Sequence, residues 1–112
     1  MKLIKAVISP KRLEAVKAAL LEAGIVGVTA HEVKGFGIHR SQLEQKISKH
    51  YVVEFTPRIM LEIVLPASRV EKAAKIITSS AWTGRLGDGK MFVLPVEEAI
   101  RVRTGERGET VL

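Results

Sequence analysis

Two parts of this chain echo each other at an offset of 57 residues. Leu13-Glu14 aligns with Val70-Glu71, Leu20 with Ile77, and Gly27 with Gly84. Each copy reads as a β-rich run, then a helical pattern, then glycine. Lys2 to Ile8 is a strand pattern, and Ser9-Pro10 is a helix-start signal with serine as cap and proline in the first turn. From Lys11 to Ala23, Leu13, Val16, Leu20 and Ala23 share one helical face, and Gly24 is the stop signal. Val26 to Phe36 is a second strand pattern. Tyr51 to Phe55 resumes strand character, Pro57 interrupts it, and Ile59 to Leu65 is a third strand. Pro66 and Ser68 open a second helix whose Val70, Ala73, Ala74 and Ile77 keep helical spacing. Lys90 to Leu94 is a fourth strand stopped by Pro95, and Glu97 to Arg103 reads as a short extra strand. The order β-α-β-β-α-β predicts an α+β, ferredoxin-like split βαβ sandwich, with an antiparallel sheet and both helices on one face. The other sheet face then needs cover, which argues for an oligomer.

Between the second strand and its continuation, residues 38–50 have no clear period and contain neither Gly nor Pro. They read as a long mobile loop, a feature that usually carries function in a small domain. The competing reading is a short amphipathic helix using Ile38, Leu43 and Ile47.

The second glycine-rich segment, Thr83-Gly84-Arg85-Leu86-Gly87-Asp88-Gly89-Lys90, joins a helix pattern to a strand pattern. Glycines that allow close backbone approach, followed by a lysine, suit a phosphate cradle. The segment matches neither the P-loop pattern, since Met91 follows the lysine, nor G-x-G-x-x-G. Taken by itself it reads first as an ordinary tight turn. Arg101 and Arg103, alternating along the extra strand, place two guanidiniums on one face, an arrangement suited to a polyphosphate. Asp88 beside the glycines is a candidate contact for a ribose or magnesium, although aspartate in such a position more often caps its own turn.

Composition narrows the function classes. The chain has 112 residues and a formal charge of +6, which favours anionic partners. There is no cysteine, which excludes thiol catalysis and zinc–thiolate sites. No apolar run reaches membrane-spanning length and the start lacks a signal-peptide layout, so a cytoplasmic protein is expected. RNA binding by such a sheet needs aromatics on the central strands, and Lys2–Ile8 and Ile59–Leu65 carry none; no nucleic-acid partner is expected. His31, His39 and His50 are each alone in sequence, and no residue is an evident base for hydrolysis, so an enzyme is not expected.

The run from Thr83 to Lys90, continued by Phe92-Val-Leu-Pro-Val-Glu-Glu-Ala-Ile-Arg-Val-Arg-Thr-Gly-Glu-Arg-Gly108, closely resembles the signature of the PII nitrogen-regulatory signal-transduction proteins. Glu32-Val-Lys-Gly-Phe-Gly37, Tyr51-Val-Val-Glu-Phe55 and the opening strand and helix are similar to the same family. The resemblance covers the whole chain as one domain, 1–112, apart from 38–50.

It implies a homotrimer with sheets facing a central axis, and ATP or ADP bound in clefts between subunits. It divides the chain into a T-loop over 38–50, a B-loop over 82–90 and a C-loop over 101–112. The nucleotide-binding residues it implies are Thr29, Gly37, Ile38, Val64, Thr83, Gly87, Asp88, Gly89, Lys90, Arg101, Val102 and Arg103. The T-loop would dock on a target protein, an enzyme or a transporter of nitrogen metabolism, so that any membrane association is indirect. Ile38 and His39 stand where the family carries arginine and glutamine, and the glutamine helps hold Mg2+ and 2-oxoglutarate. These departures count against 2-oxoglutarate as an effector, although Arg58 keeps the charge of the family's lysine there. The alternative is a divergent sensor in which His39, with His50, answers to a metal or another small ligand. Tyr51 matches a tyrosine that some members carry as a uridylylation site; its plainer role is to open a strand.

Overall fold

The structure is a computed structural model, and it describes residues 1–37 and 54–112. The alternating pattern at the start of the chain becomes strand β1 (Lys2–Ile8), in which Ile4, Ala6 and Ile8 are buried. Helix α1 (Leu13–Glu22) follows, then β2 (Val28–Gly35), β3 (Thr56–Leu65), α2 (Val70–Ala81) and β4 (Lys90–Pro95). The strands form one antiparallel sheet in the order β2-β3-β1-β4. This is the expected α+β, ferredoxin-like architecture, with β3 and β1 at the centre.

The register sorts the side chains. Ile4 lies opposite Ile63, Ala6 opposite Leu61 and Ile8 opposite Ile59. These residues face the helices and pack with Val16 and Leu20 of α1 and Val70, Ala73 and Ile77 of α2. Burying each large aliphatic side chain there contributes about 1.5–3 kcal/mol. The odd-numbered positions of β1 face the other way: Leu3 lies opposite Val64 and Leu94, Lys5 opposite Glu62 and Phe92, and Val7 opposite Met60 and Lys90. No helix among the described residues covers this outer face.

Both helices begin later than expected. Pro10–Arg12 and Ala67–Arg69 are single 3-10 turns preceding α1 and α2. Ser9 makes no side-chain cap; instead its carbonyl accepts the Arg12 N–H at 3.0 Å, closing the turn through the backbone. The far end of α1 behaves as expected. Gly24 N–H donates to the Leu21 carbonyl and Ile25 N–H to the Leu20 carbonyl, both at 2.9 Å, the two bonds of a Schellman stop.

Two expectations are corrected. Pro57 does not interrupt a strand: β3 runs through it, with Pro57 opposite Lys34 of β2. β1 ends at Ile8 opposite Ile59, so Pro57 lies where β3 has outrun β1 and has a neighbour on one side only. Proline's missing donor is tolerable there. Glu54 and Phe55 are correspondingly outside the strand. The second correction concerns Glu97 to Arg103, which forms no strand. Arg101 N–H donates to the Glu106 carbonyl at 2.9 Å and Gly105 N–H to the Arg101 carbonyl at 2.7 Å, so the chain doubles back. A single bridge, Ile100 with Arg107, closes this small hairpin.

Candidate functional site

The glycine-rich segment lies between the end of α2 and the start of β4. Trp82 leaves the helix in an extended conformation and is 65% exposed. Asp88 then reaches back across the turn. Its carboxylate accepts the Thr83 N–H at 2.7 Å, the Gly84 N–H at 3.0 Å and the Thr83 hydroxyl. The Arg85 N–H donates to the Thr83 hydroxyl oxygen at 3.2 Å. These bonds favour the ionised carboxylate: the Thr83 hydroxyl first, then the Thr83 and Gly84 amides and the charge of Arg12, hold Asp88 below its ordinary value. Asp88 is therefore the brace of its own turn, the plainer of its two expected roles.

The far side of the turn is fixed by contact with β1. A Cβ at Gly89 would collide with the Val7 carbonyl oxygen, so only glycine lets the backbones come this close. The next residue, Lys90, pairs with Val7 and enters the sheet on its outer face. Arg58, on the same face of β3, brings its guanidinium to 3.0 Å from the point where a Gly87 Cβ would stand. Gly35 at the end of β2 pairs with Thr56, whose hydroxyl donates to the Gly35 carbonyl at 3.0 Å. The β2 end and the glycine turn thus meet at one sheet end, with Arg58 between them.

The other expected residues separate into four groups. Thr29 and Val64 lie on the outer face, opposite Glu62 and Leu3 respectively. Gly37 lies just beyond β2, where the Phe36 and Phe55 rings meet edge to face at 5.0 Å between centroids. Ile38, His39 and Tyr51 lie outside the described residues.

Arg101, Val102 and Arg103 form the fourth group. The chain leaves β4 at Pro95, opposite Lys2, at the sheet end away from Lys90. The Arg101 Nη1 pairs with a Glu106 carboxylate oxygen at 3.1 Å, and Arg103 lies in the turn of the hairpin. The expectation that the two arginines share the face of a strand is corrected, because the segment is a turn. Among the described residues no hydrogen bond or ion pair joins 97–112 to the glycine turn.

Two arrangements escape sequence reasoning. His31 is not alone: its Nε2 lies 3.0 Å from a Glu62 carboxylate oxygen across the β2–β3 ladder. The partner becomes visible only once the strand register is known. Arg12 bonds the Ser80 carbonyl at the end of α2, a contact between residues 68 apart in sequence. The one available signal is the internal echo, which aligns Arg12 with Arg69.

A ferredoxin-like sheet whose braced glycine turn ends in a lysine and packs against an arginine defines an α+β module with a cationic turn at one sheet end. Comparison with known proteins narrows this class. The family model for nitrogen regulatory protein P-II matches residues 1–106, and the chain belongs to that family. It is 50% identical over 108 residues to the nitrogen regulatory protein P-II of Azospirillum brasilense, with 96% of each chain covered. The protein of the same name from Nostoc punctiforme is 46% identical over 107 residues, again with 96% of each covered. The crystal structure of Arabidopsis thaliana PII bound to citrate superposes with a TM-score of 0.81 at 42% identity, covering 97% of this chain and 89% of that one. No helix among the described residues is long and apolar enough to cross a membrane.

Proposed function

We propose that this chain is a homotrimeric, non-enzymatic signalling protein that binds ATP or ADP in clefts between subunits and acts on a target protein of nitrogen metabolism through residues 38–50. The observation that carries this reading is the placement of the cationic groups. Lys90, Arg58 and the glycine turn gather at one end of the sheet, while Arg101 and Arg103 leave from the other. A clamp using both sets is assembled most directly between neighbouring subunits. The outer sheet face supports the assembly: beside Lys5, Glu62 and His31 it carries Leu3, Val7, Met60, Val64, Phe92 and Leu94, apolar side chains that no helix covers within the described residues.

The chemistry follows from the donors. Asp88 consumes the Thr83 and Gly84 amides, so an incoming phosphate meets the turn further on, around Gly87 and Gly89, with Lys90 beside them. Arg101 and Arg103, supplied by a neighbour, would complete the charge compensation. Val64 and Thr29 lie on the face that would receive the nucleoside. Among the described residues there is no group of three His, Asp or Glu side chains able to hold a metal; Mg2+ would arrive with the nucleotide phosphates. ATP and ADP act as signals to the extent that they favour different conformations of the target-binding segment.

The test combines sedimentation with nucleotide titration followed by the fluorescence of Trp82, the chain's single tryptophan. A trimer with saturable ATP and ADP responses in the micromolar range supports the proposal. A monomer that gives no response to either nucleotide refutes it.

A second reading concerns the effector. His39 replaces the glutamine expected for 2-oxoglutarate sensing, and the Arabidopsis relative is bound to citrate, a different carboxylate. On this reading the chain answers to another small anion or to a metal. Titrating the ATP-loaded protein with Mg2+ and 2-oxoglutarate, then citrate, then divalent transition metals separates the two. A saturable 2-oxoglutarate response removes this alternative.

A further inference from the structure

The two halves of the fold carry matching arginine clasps. Arg12 ends the 3-10 turn before α1, and its Nε and Nη2 both donate to the Ser80 carbonyl near the end of α2, at 2.9 and 2.6 Å. Arg69 ends the 3-10 turn before α2, and its Nη2 reaches the Ala23 carbonyl just past the end of α1, at 3.5 Å. The two donors stand 57 residues apart and so do the two acceptors, the same offset that relates Leu13 to Val70. The backbone repeats the correspondence. Arg12 has φ −98° and ψ −3°, and Arg69 has φ −100° and ψ −6°. Gly27 and Gly84, the next aligned pair, have φ of 77° and 81°.

Both arginines perform one structural task. Each supplies a charged donor to a carbonyl at a helix C-terminus, where the last carbonyls lack helical partners and the dipole is negative. The copies differ in the segment that the clasped carbonyl leads into. After Ala23 the chain passes into edge strand β2. After Ser80 it passes through Trp82 into the braced glycine turn. The clasp on the side of the turn is also the tighter one, with two short bonds in place of one long one. The other side of the turn is tied to the same short stretch of chain, because Gly89 packs on the Val7 carbonyl and Lys90 pairs with Val7. Val7 to Arg12 therefore holds both ends of the turn, and the Arg12 charge also helps to keep the Asp88 brace ionised.

We propose that Arg12 is a positioning residue for phosphate capture: by holding Ser80 it fixes where the glycine turn begins, as Val7 fixes where it ends, so that Gly87, Gly89 and Lys90 meet the anion at a set spacing. This rests on the nucleotide reading above. Arg69, its counterpart in the other half, does the same structural work with no connection to the turn.

The pseudo-symmetry supplies a matched control. Arg12→Gln, Arg12→Lys and Arg69→Gln are compared as full-length proteins for melting temperature, ATP affinity and ligand-free Trp82 emission. Arg12→Gln is expected to weaken ATP about tenfold, the scale of a lost charge-assisted hydrogen bond, and to shift Trp82 emission. Arg12→Lys should fall between it and the parent, and Arg69→Gln should lower the melting temperature with ATP affinity and emission unchanged. Parent-like ATP affinity and emission in Arg12→Gln overturn the proposal, as does an equal loss of ATP affinity in Arg69→Gln. If Arg12→Gln does not fold, Arg12→Lys decides: weakened ATP with shifted emission supports positioning, and parent-like values overturn it. If the parent itself binds no ATP, the nucleotide reading fails by that result, and ligand-free Trp82 emission still decides whether Arg12 sets the turn.

Discussion

The Arg58 guanidinium fills the space that a side chain at Gly87 would need, its Nη2 lying 3.0 Å from the position of a Cβ there. Gly89, two residues on, is closed off by backbone instead, with the Val7 carbonyl oxygen standing where a Cβ would have to go. The difference between a side chain that can swing away and a paired strand that cannot gives an ordering. Gly87→Ala should cost about 1–2 kcal/mol, mainly from placing a Cβ residue at φ 98°. Gly89→Ala should cost more, because β4 cannot keep its register against Val7. Urea denaturation of the two variants checks this, and equal costs would contradict the packing described.

The Asp88 brace makes the turn sensitive to acid. Its carboxyl is held below the ordinary value of 3.8 by the Thr83 hydroxyl and amide bonds. A depressed carboxyl stabilises the fold at pH above that ordinary value, and the contribution is lost as pH falls through the lower value of the folded state. Trp82 emission should therefore hold steady from neutrality down to about pH 4 and change below it. Asp88→Asn should already differ at neutral pH and show no such acid step. An unaltered acid step in Asp88→Asn would assign it to another group.

The two faces of the sheet should respond differently to substitution. Ile63, opposite Ile4 on the helix face, is fully buried, and Ile63→Ala should cost about 2–5 kcal/mol in a denaturant titration. Phe92 on the outer face is half exposed within one chain. Phe92→Lys should leave the far-ultraviolet circular dichroism unchanged while shifting sedimentation from trimer toward monomer. A trimer of undiminished stability in Phe92→Lys would remove the outer face as the assembly surface.

The parts of the fold that are legible in the sequence are those governed by local pattern. Ile4, Ala6 and Ile8 alternate, Val70, Ala73 and Ile77 recur at helical spacing, and Gly24 stops α1 where expected. Pro57 reads locally as a strand breaker, and its tolerance depends on β1 ending at Ile8, a fact of register. The segment from Glu97 to Arg103 has strand-like composition, yet it turns back through Gly105 and the Arg101–Glu106 pair. The glycine turn is recognisable as a candidate site from its residues alone. Its supports are not, because Arg12–Ser80 and Arg58–Gly87 are contacts between distant segments that no local pattern reports. The His31–Glu62 pair is hidden for the same reason.

On the proposed function, Lys90 on the turn and Arg103 on the C-terminal segment hold the phosphates of one nucleotide across a subunit boundary. Isothermal titration of ATP into the parent protein, Lys90→Ala, Arg103→Ala and an equimolar mixture of the two variants, refolded together, tests it most directly. Micromolar binding to the parent is expected, weakened by about 1–3 kcal/mol in each variant. The mixed trimers should recover a fraction of parent-like sites, since some clefts then combine an intact turn with an intact arginine. Absence of ATP binding in the parent, or full affinity retained in both variants, would contradict the claim.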